Sequence, residues 1–205
     1  MGLRLSPPHS LQPHHDLTGF RCGDRSIERW IKRHAHSNAE NWLNRICVVI
    51  DQDTQQVAGI YALTFKQLER EALGSLRSGR LKDGPPLVPA YFIGQFAVAT
   101  AYQNQGVAGG LVRDIFRFLL EQAENGIPAP LVYLDASQEQ AASFWRHMGF
   151  DPCPEIDENA MVKELNKIAE TAEVLDHQDT RGKRVRMTTT LKWVLYRRGL
   201  RRQSP

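Results

Sequence analysis

The chain has little that would tie it down covalently or anchor it in a bilayer. Its cysteines are Cys22, Cys47 and Cys153, odd in number, scattered, and without a C-x-x-C pair. That excludes a disulfide framework and a zinc-finger spacing, and it predicts reduced thiols in a cytoplasmic protein. No apolar run reaches the roughly 20 residues a membrane span needs. The opening MGLRLSPP lacks the apolar centre of a signal peptide, so no membrane association is expected. His14-His15 has no nearby carboxylate or cysteine to complete a ligand set, which reads as a solvated arm and no metal site. Acidic residues stop at Asp179, while bases continue from Arg181 to Arg202. The modest net charge of +3 is therefore concentrated at one end. Such an end either neutralises nucleic-acid phosphates or is a solvated tail.

Two phosphate loops are also missing. No Lys-Ser/Thr follows a glycine cluster, and there is no G-x-G-x-x-G, so neither the triphosphate loop nor the dinucleotide fingerprint is present. What is present lies between Phe92 and Leu119. An apolar run, Ile93 to Val98, predicts a buried strand. Gln103-Asn104-Gln105-Gly106-Val107-Ala108-Gly109-Gly110 predicts a turn. Val107, Leu111, Val112, Ile115, Phe118 and Leu119 then recur at helical spacing. A helix start has amides without internal partners and a dipole that favours an anion. Small residues at Gly106, Ala108, Gly109 and Gly110 let a bulky phosphate approach, so this segment reads as a pyrophosphate cradle.

In chain order, Pro7, Pro8 and Pro13 predict an extended entry, with an edge strand at Leu3 and Leu5. Asp24 or Ser26 caps a helix whose inner face is Ile27, Trp30, Ile31, His34 and Ala35. Ile46 to Ile50 and Val57 to Leu63, joined through Asp51-Gln52-Asp53, predict a hairpin. Residues 66–88 read as a loop with a short helix near 67–73. Its basic rim is Arg70, Arg77, Arg80 and Lys82. Leu131 to Leu134 is the next strand. Ser137 caps a helix from Glu139 to His147, with Gly149 after its end. Met161, Leu165, Ile168, Ala169, Ala172 and Leu175 predict a helix over 158–175, and Val185 to Tyr196 a late strand.

Gln103-x-x-Gly106-x-Ala108 resembles the Q/R-x-x-G-x-G/A signature of GNAT N-acetyltransferases, which bind the pyrophosphate of acetyl-CoA. Further pieces are similar to the bacterial TacT-type toxins of that superfamily. They are Phe20-x-Cys22-Gly23-Asp24, Trp30, Arg45-x-x-Val48, Leu81-Lys82-x-Gly84-x-Pro86-x-x-Pro89, Gly94-x-x-Ala97-Val98, Arg113-Asp114 and Phe144-x-x-x-x-Gly149-Phe150. The resemblance spans roughly residues 16–154. It implies an α/β (α+β) fold with a mixed, mostly antiparallel sheet, helices on both faces and a splayed parallel strand pair. Residues 1–155 are expected to form the core, 156–180 an inserted helix and linker, and 181–205 the last strand and a basic tail. It also implies that Phe96, Ala97 and Val98 hold the pantetheine arm of acetyl-CoA. Gln103, Gln105, Gly106, Val107, Ala108, Gly109 and Gly110 would hold the pyrophosphate, and Phe144 would lie against the carrier.

Members of that branch acetylate the amino group of aminoacyl-tRNA and block translation. The resemblance implies tRNA on the basic surface, an antitoxin partner and a homodimer. Two other readings stand beside it: a GNAT enzyme acting on a protein or small amine, and a catalytically impaired nucleic-acid-binding protein of the same fold. The toxins carry a tyrosine after the late-helix phenylalanine, which protonates the departing thiolate. Here that position is Trp145, whose indole N–H donates a hydrogen bond but does not release its proton. Trp145 is then a packing aromatic, or departure proceeds unassisted or through water, or another group serves, with Ser143, Tyr133 and Asp135 nearest in sequence. Gln95 stands where the toxins usually have arginine.

Overall fold

The computed structural model describes residues 3–78 and 81–168. Its entry is the expected extended arm. Leu5 bridges Asp51, and strand β1 (His9–Ser10) pairs with β2. Asp24 then caps helix α1 (Arg25–Glu40), its carboxylate accepting from the amides of Ser26 and Ile27. Glu28 reaches back to accept from the Cys22 and Gly23 amides, so the first turn is held from both sides.

The expected hairpin forms from β2 (Arg45–Ile50) and β3 (Val57–Glu69), with Val48 opposite Ile60. β3 runs past the expected end at Leu63 and pairs along β4 (Leu87–Val98) as far as Glu69 opposite Leu87. The stretch read as a loop is thus largely a ribbon. Its outward residues Lys66, Gln67 and Glu69 are exposed while Leu68 is buried, a pattern with too few apolar positions to read as a strand. The short helix falls later than expected, as a 3₁₀ segment over Arg70–Ser78 that kinks at Gly74 (φ +51°). Arg70 donates to the carbonyls of Lys82 and Gly84, so it staples this connection instead of forming a rim.

β4 leads through a 3₁₀ turn (Thr100–Tyr102) to α2 (Val107–Asn125), then β5 (Leu131–Asp135), α3 (Glu139–His147), β6 (Asp151–Pro152) and β7 (Ala160–Glu164). The sheet order is β1-β2-β3-β4-β5-β7-β6 among the described residues, antiparallel except for the β4–β5 pair. The α2 crossover joins that parallel pair. β7 corrects the expected 158–175 helix over its first part. Ala160, Met161, Val162 and Lys163 are all buried between β5 and β6, and a strand buried on both faces shows no alternation. The expected boundary at residue 155 therefore falls inside the sheet. The late strand at 185–196 and the basic tail lie outside the described residues.

α2 packs on the face carrying Gly59 and Tyr61. A Cβ on Gly59 would stand 2.8 Å from Leu111 Cδ1, so a larger residue here would have to push that buried side chain aside. Tyr61, fully buried, donates to Asp114 of α2 at 2.5 Å. The opposite face carries Leu68, Val88, Ala90, Leu131, Tyr133 and Val162, closed over by Leu73 of the 3₁₀ segment.

The N-terminal arm carries a pH dependence. His15 Nδ1 accepts the Gln12 amide, which puts its proton on Nε2, 3.4 Å from His9 Nε2. Burial, then the charges of His14, His9 and His36, hold the His15 pKa below its usual value. The folded state thus favours neutral His15, and its contribution is complete above the unfolded value of about 6.5 and lost as pH falls below it. Melting temperature should be flat from about pH 8 to 7 and decline below about 6.5. A His15→Asn variant should show a shallower decline.

Candidate active site

The parallel strands part company at one point. β4 and β5 pair from Ala90 opposite Leu131 to Ile93 opposite Leu134 and no further. On β4, Leu63 faces Ile93 and Ala62 faces Gln95, so Gly94 is an extra residue, a bulge that turns the strand away. From Gln95 to Val98, β4 has only β3 beside it among the described residues. The Ala99 amide donates to the Ala58 carbonyl at 2.9 Å. Alternation along an antiparallel ladder then directs Ala97 toward β3, and the N–H and C=O of Phe96 and the N–H of Val98 into the fork, while the Val98 carbonyl on that side accepts from the Gln103 side chain. Of the expected strand residues, Phe96 and Val98 thus offer main-chain groups there, and Ala97 does not.

Beyond the fork the chain bends sharply. Asn104 (φ +59°) and Gly106 (φ +80°) are both left-handed, and Gly106 caps α2 with no side-chain hydrogen bond. The first intrahelical bond runs from the Gly110 amide to the Gly106 carbonyl at 3.1 Å. The amides of Val107, Ala108 and Gly109 precede it and have no helical acceptor. A Cβ placed on Gly106, Gly109 or Gly110 would meet nothing within 4 Å, so these glycines border open space at the helix start. An uncapped helix N-terminus facing open space fits the diphosphate of a nucleotide carrier.

Three expected cradle residues have partners within the protein. Gly110 spends its amide inside the helix. Gln103 donates its side-chain amide to the carbonyls of Cys22 (2.9 Å) and Val98 (3.0 Å). Gln105 donates to Ala101 at 2.8 Å. The two glutamines shape the turn by stitching it to the α1 entry and to the end of β4.

α3 is set against the fork by its C-terminus. Gly149 (φ +80°) donates to Arg146, and Phe150 to Trp145, closing a Schellman turn in which the Phe150 and Trp145 rings touch at 5.1 Å. Lys163 of β7, buried, donates to the carbonyls of Met148 and Gly149. Trp145 is 4% exposed, with Phe96 at 5.0 Å and Phe144 at 5.2 Å between ring centroids. It is a packing aromatic on the lip of the fork. Its indole N–H has no hydrogen-bond acceptor among the described residues. Phe144 stacks on Phe96 at 5.8 Å.

Of the three groups nearest Trp145 in sequence, Tyr133 and Asp135 meet on β5, and Ser143 does not join them. Ser143 is exposed on α3. Tyr133 donates to Asp135, and burial foremost pushes its phenol well above the usual range. Ser137, expected to cap α3, does not; the cap position is Gln138, whose side chain instead donates to Asp24 Oδ2 at 2.5 Å. A separate cavity of about 630 Å³ lies where the Thr100–Tyr102 turn meets Phe20, Arg21 and Thr54. No fork residue lines it.

The acetyltransferase (GNAT) domain family matches residues 43–152. A tRNA-acetylating toxin of Mycobacterium tuberculosis is 28% identical over 151 residues, covering 73% of this chain and 86% of the relative. The toxin AtaT complexed with acetyl-methionyl-tRNAfMet superposes with a TM-score of 0.72 at 24% identity, covering 84% of this chain and 99% of the other. A tyrosine-to-phenylalanine mutant of AtaT, bound to the C-terminus of the antitoxin AtaR and acetyl-CoA, gives 0.68 at 22% identity, covering 82% and 97%.

Proposed function

The chain belongs to the GNAT acetyltransferase family, and from that premise we propose that it moves the acetyl group of acetyl-CoA onto the amino group of an aminoacyl-tRNA, as a translation-blocking toxin. The observation that carries the donor side is the uncapped glycine start of α2, opening beside the fork in the sheet. The Val107, Ala108 and Gly109 amides hold the diphosphate. Main-chain groups of Phe96 and Val98 bond the pantetheine arm as an added strand would. The acceptor's ammonium gives one proton to water, the neutral nitrogen forms the C–N bond as the C–S bond breaks, and the thiolate takes a second proton from that nitrogen through solvent, leaving the amide N–H. The protein contributes position and main-chain donors and needs no nucleophile of its own.

For the acceptor, the named relatives support tRNA, and so does a feature of α1 that sequence periodicity passed over. Arg25, Arg29 and Arg33 are exposed at four-residue spacing and have no carboxylate partner among the described residues. A rise of about 1.5 Å per residue sets them roughly 6 Å apart along the helix, a spacing suited to successive phosphates. The track begins beside Asp24, which Gln138 ties to the chain just after β5. On this reading an antitoxin and a second copy of the chain are further partners. Incubation with acetyl-CoA and charged tRNA should yield N-acetylated aminoacyl ends. Label found only on protein or a polyamine would transfer the reading to a different acceptor.

A further inference from the structure

One cluster at the fork is not used by the donor. Asp135 is the residue after Leu134, where β5 last pairs with β4, and it lies next to the point at which the strands part. Its carboxylate accepts from the Tyr133 hydroxyl. The Tyr133 ring stacks on Phe92, with centroids 5.2 Å apart and 24° between planes. Lys66 Nζ stands 3.9 Å from the Phe92 centroid, 4.8 Å from that of Tyr133, and 3.9 Å from Asp135 Oδ2. These side chains occupy the sheet face opposite α2, since Phe92 and Tyr133 alternate with Ile93 and Leu134.

An ammonium over two aromatic faces and beside a carboxylate is how proteins hold an amine. We propose that Phe92, Tyr133 and Asp135 are the seat of the acceptor's ammonium, and that Lys66 occupies this seat until an acceptor displaces it. The proposal rests on the acetyl-transfer reading above. Donor and acceptor then reach the fork from opposite faces of the sheet, which lets one nitrogen meet one carbonyl carbon with no protein group between them. The Lys66–Asp135 pair suits a placeholder. Both side chains are about two-fifths exposed (42% and 43%), and ion pairs so open to water exchange readily. A competing α-ammonium joined to an ester brings the same charge without a tethered stem.

The test has a part independent of turnover. In the full chain, the Lys66 ε-methylene resonance should carry an upfield shift from the Phe92 ring. Adding glycine methyl ester, which has an ammonium beside an ester, should return it toward the value of a solvated lysine. N-acetylglycine methyl ester, without the charge, should leave it in place. In turnover with the acceptor, Asp135→Asn, which still accepts from Tyr133, should raise KM about tenfold, change kcat less than threefold, and leave acetyl-CoA affinity unaltered. Lys66→Met should lower KM about threefold, and that gain should vanish in the Asp135→Asn background. A Lys66 resonance indifferent to the ester, or a Lys66→Met variant with raised KM, overturns the seat. Wild-type protein that shifts the resonance yet acetylates no charged tRNA keeps the seat and removes the tRNA reading.

Discussion

Wild-type protein should gain melting temperature with acetyl-CoA, and replacing Gly109 with glutamate should abolish that rise while leaving the unliganded protein more stable. Both halves follow from the same few atoms. Gly109 lies in the first turn of α2, and a Cβ there meets nothing within 4 Å, so the fold admits a side chain. Glycine in a helix costs about 1 kcal/mol relative to alanine, and an acid near a helix start adds roughly 0.3–1 kcal/mol through the dipole. A gain of about 1 kcal/mol corresponds to roughly 2–4 °C for a chain of this size. On the proposed reading, the same carboxylate would stand beside the diphosphate. Two like charges about 4 Å apart repel by about 4 kcal/mol at an effective dielectric near 20. Even partial relief leaves a loss of at least about 100-fold in affinity. Gly109→Ala separates bulk from charge and should stabilise nearly as much while weakening binding less. Unaltered acetyl-CoA affinity in the glutamate variant, read by calorimetry, would put the diphosphate elsewhere on the surface.

The strand–bend–helix unit was legible because strand, bend and helix each leave a local mark. Ile93 to Val98 is apolar, Gly106 must take a left-handed conformation, and Val107, Leu111, Ile115 and Leu119 share one helical face. The fork was legible only through resemblance. Gly94 is an ordinary strand glycine until β3 shows that it has no opposite number. β7 misled for a physical reason. Met161, Leu165 and Ile168 fall at helical spacing, while Ala160 to Lys163 lie between two strands, and only the long-range partner decides. Lys163 gave no sign of being buried, since its role depends on carbonyls contributed by Met148 and Gly149. Lys66 and Asp135 are far apart in sequence and meet only through the register of three strands. The arginine track on α1 was open to the same periodicity argument that found that helix's apolar face, read on its other side.

Trp145→Phe should lose little stability and much turnover. A buried N–H without an acceptor costs roughly 1–3 kcal/mol, and phenylalanine removes it. Against this stands a smaller ring among Phe96, Phe144 and Phe150, a packing loss on the order of 1–3 kcal/mol. The two nearly offset, so the melting temperature should shift by no more than a few degrees. Turnover has no such compensation. Trp145 packs on Phe96, whose main-chain groups face the fork, and its N–H is taken as the donor to the sulfur charge that develops there. A hydrogen bond to a charged group is worth roughly 1.5–3 kcal/mol, which predicts a kcat about 10- to 100-fold lower with acetyl-CoA affinity retained. Trp145→Ala is a different experiment, because emptying the site should cost about 3–5 kcal/mol and confound activity with unfolding. Trp145→Tyr supplies a transferable proton. If it exceeds the wild-type rate, proton delivery limits this enzyme and the indole is a partial substitute. If Trp145→Phe turns over as fast as the wild type, the ring serves packing alone and the thiolate departs with help from water.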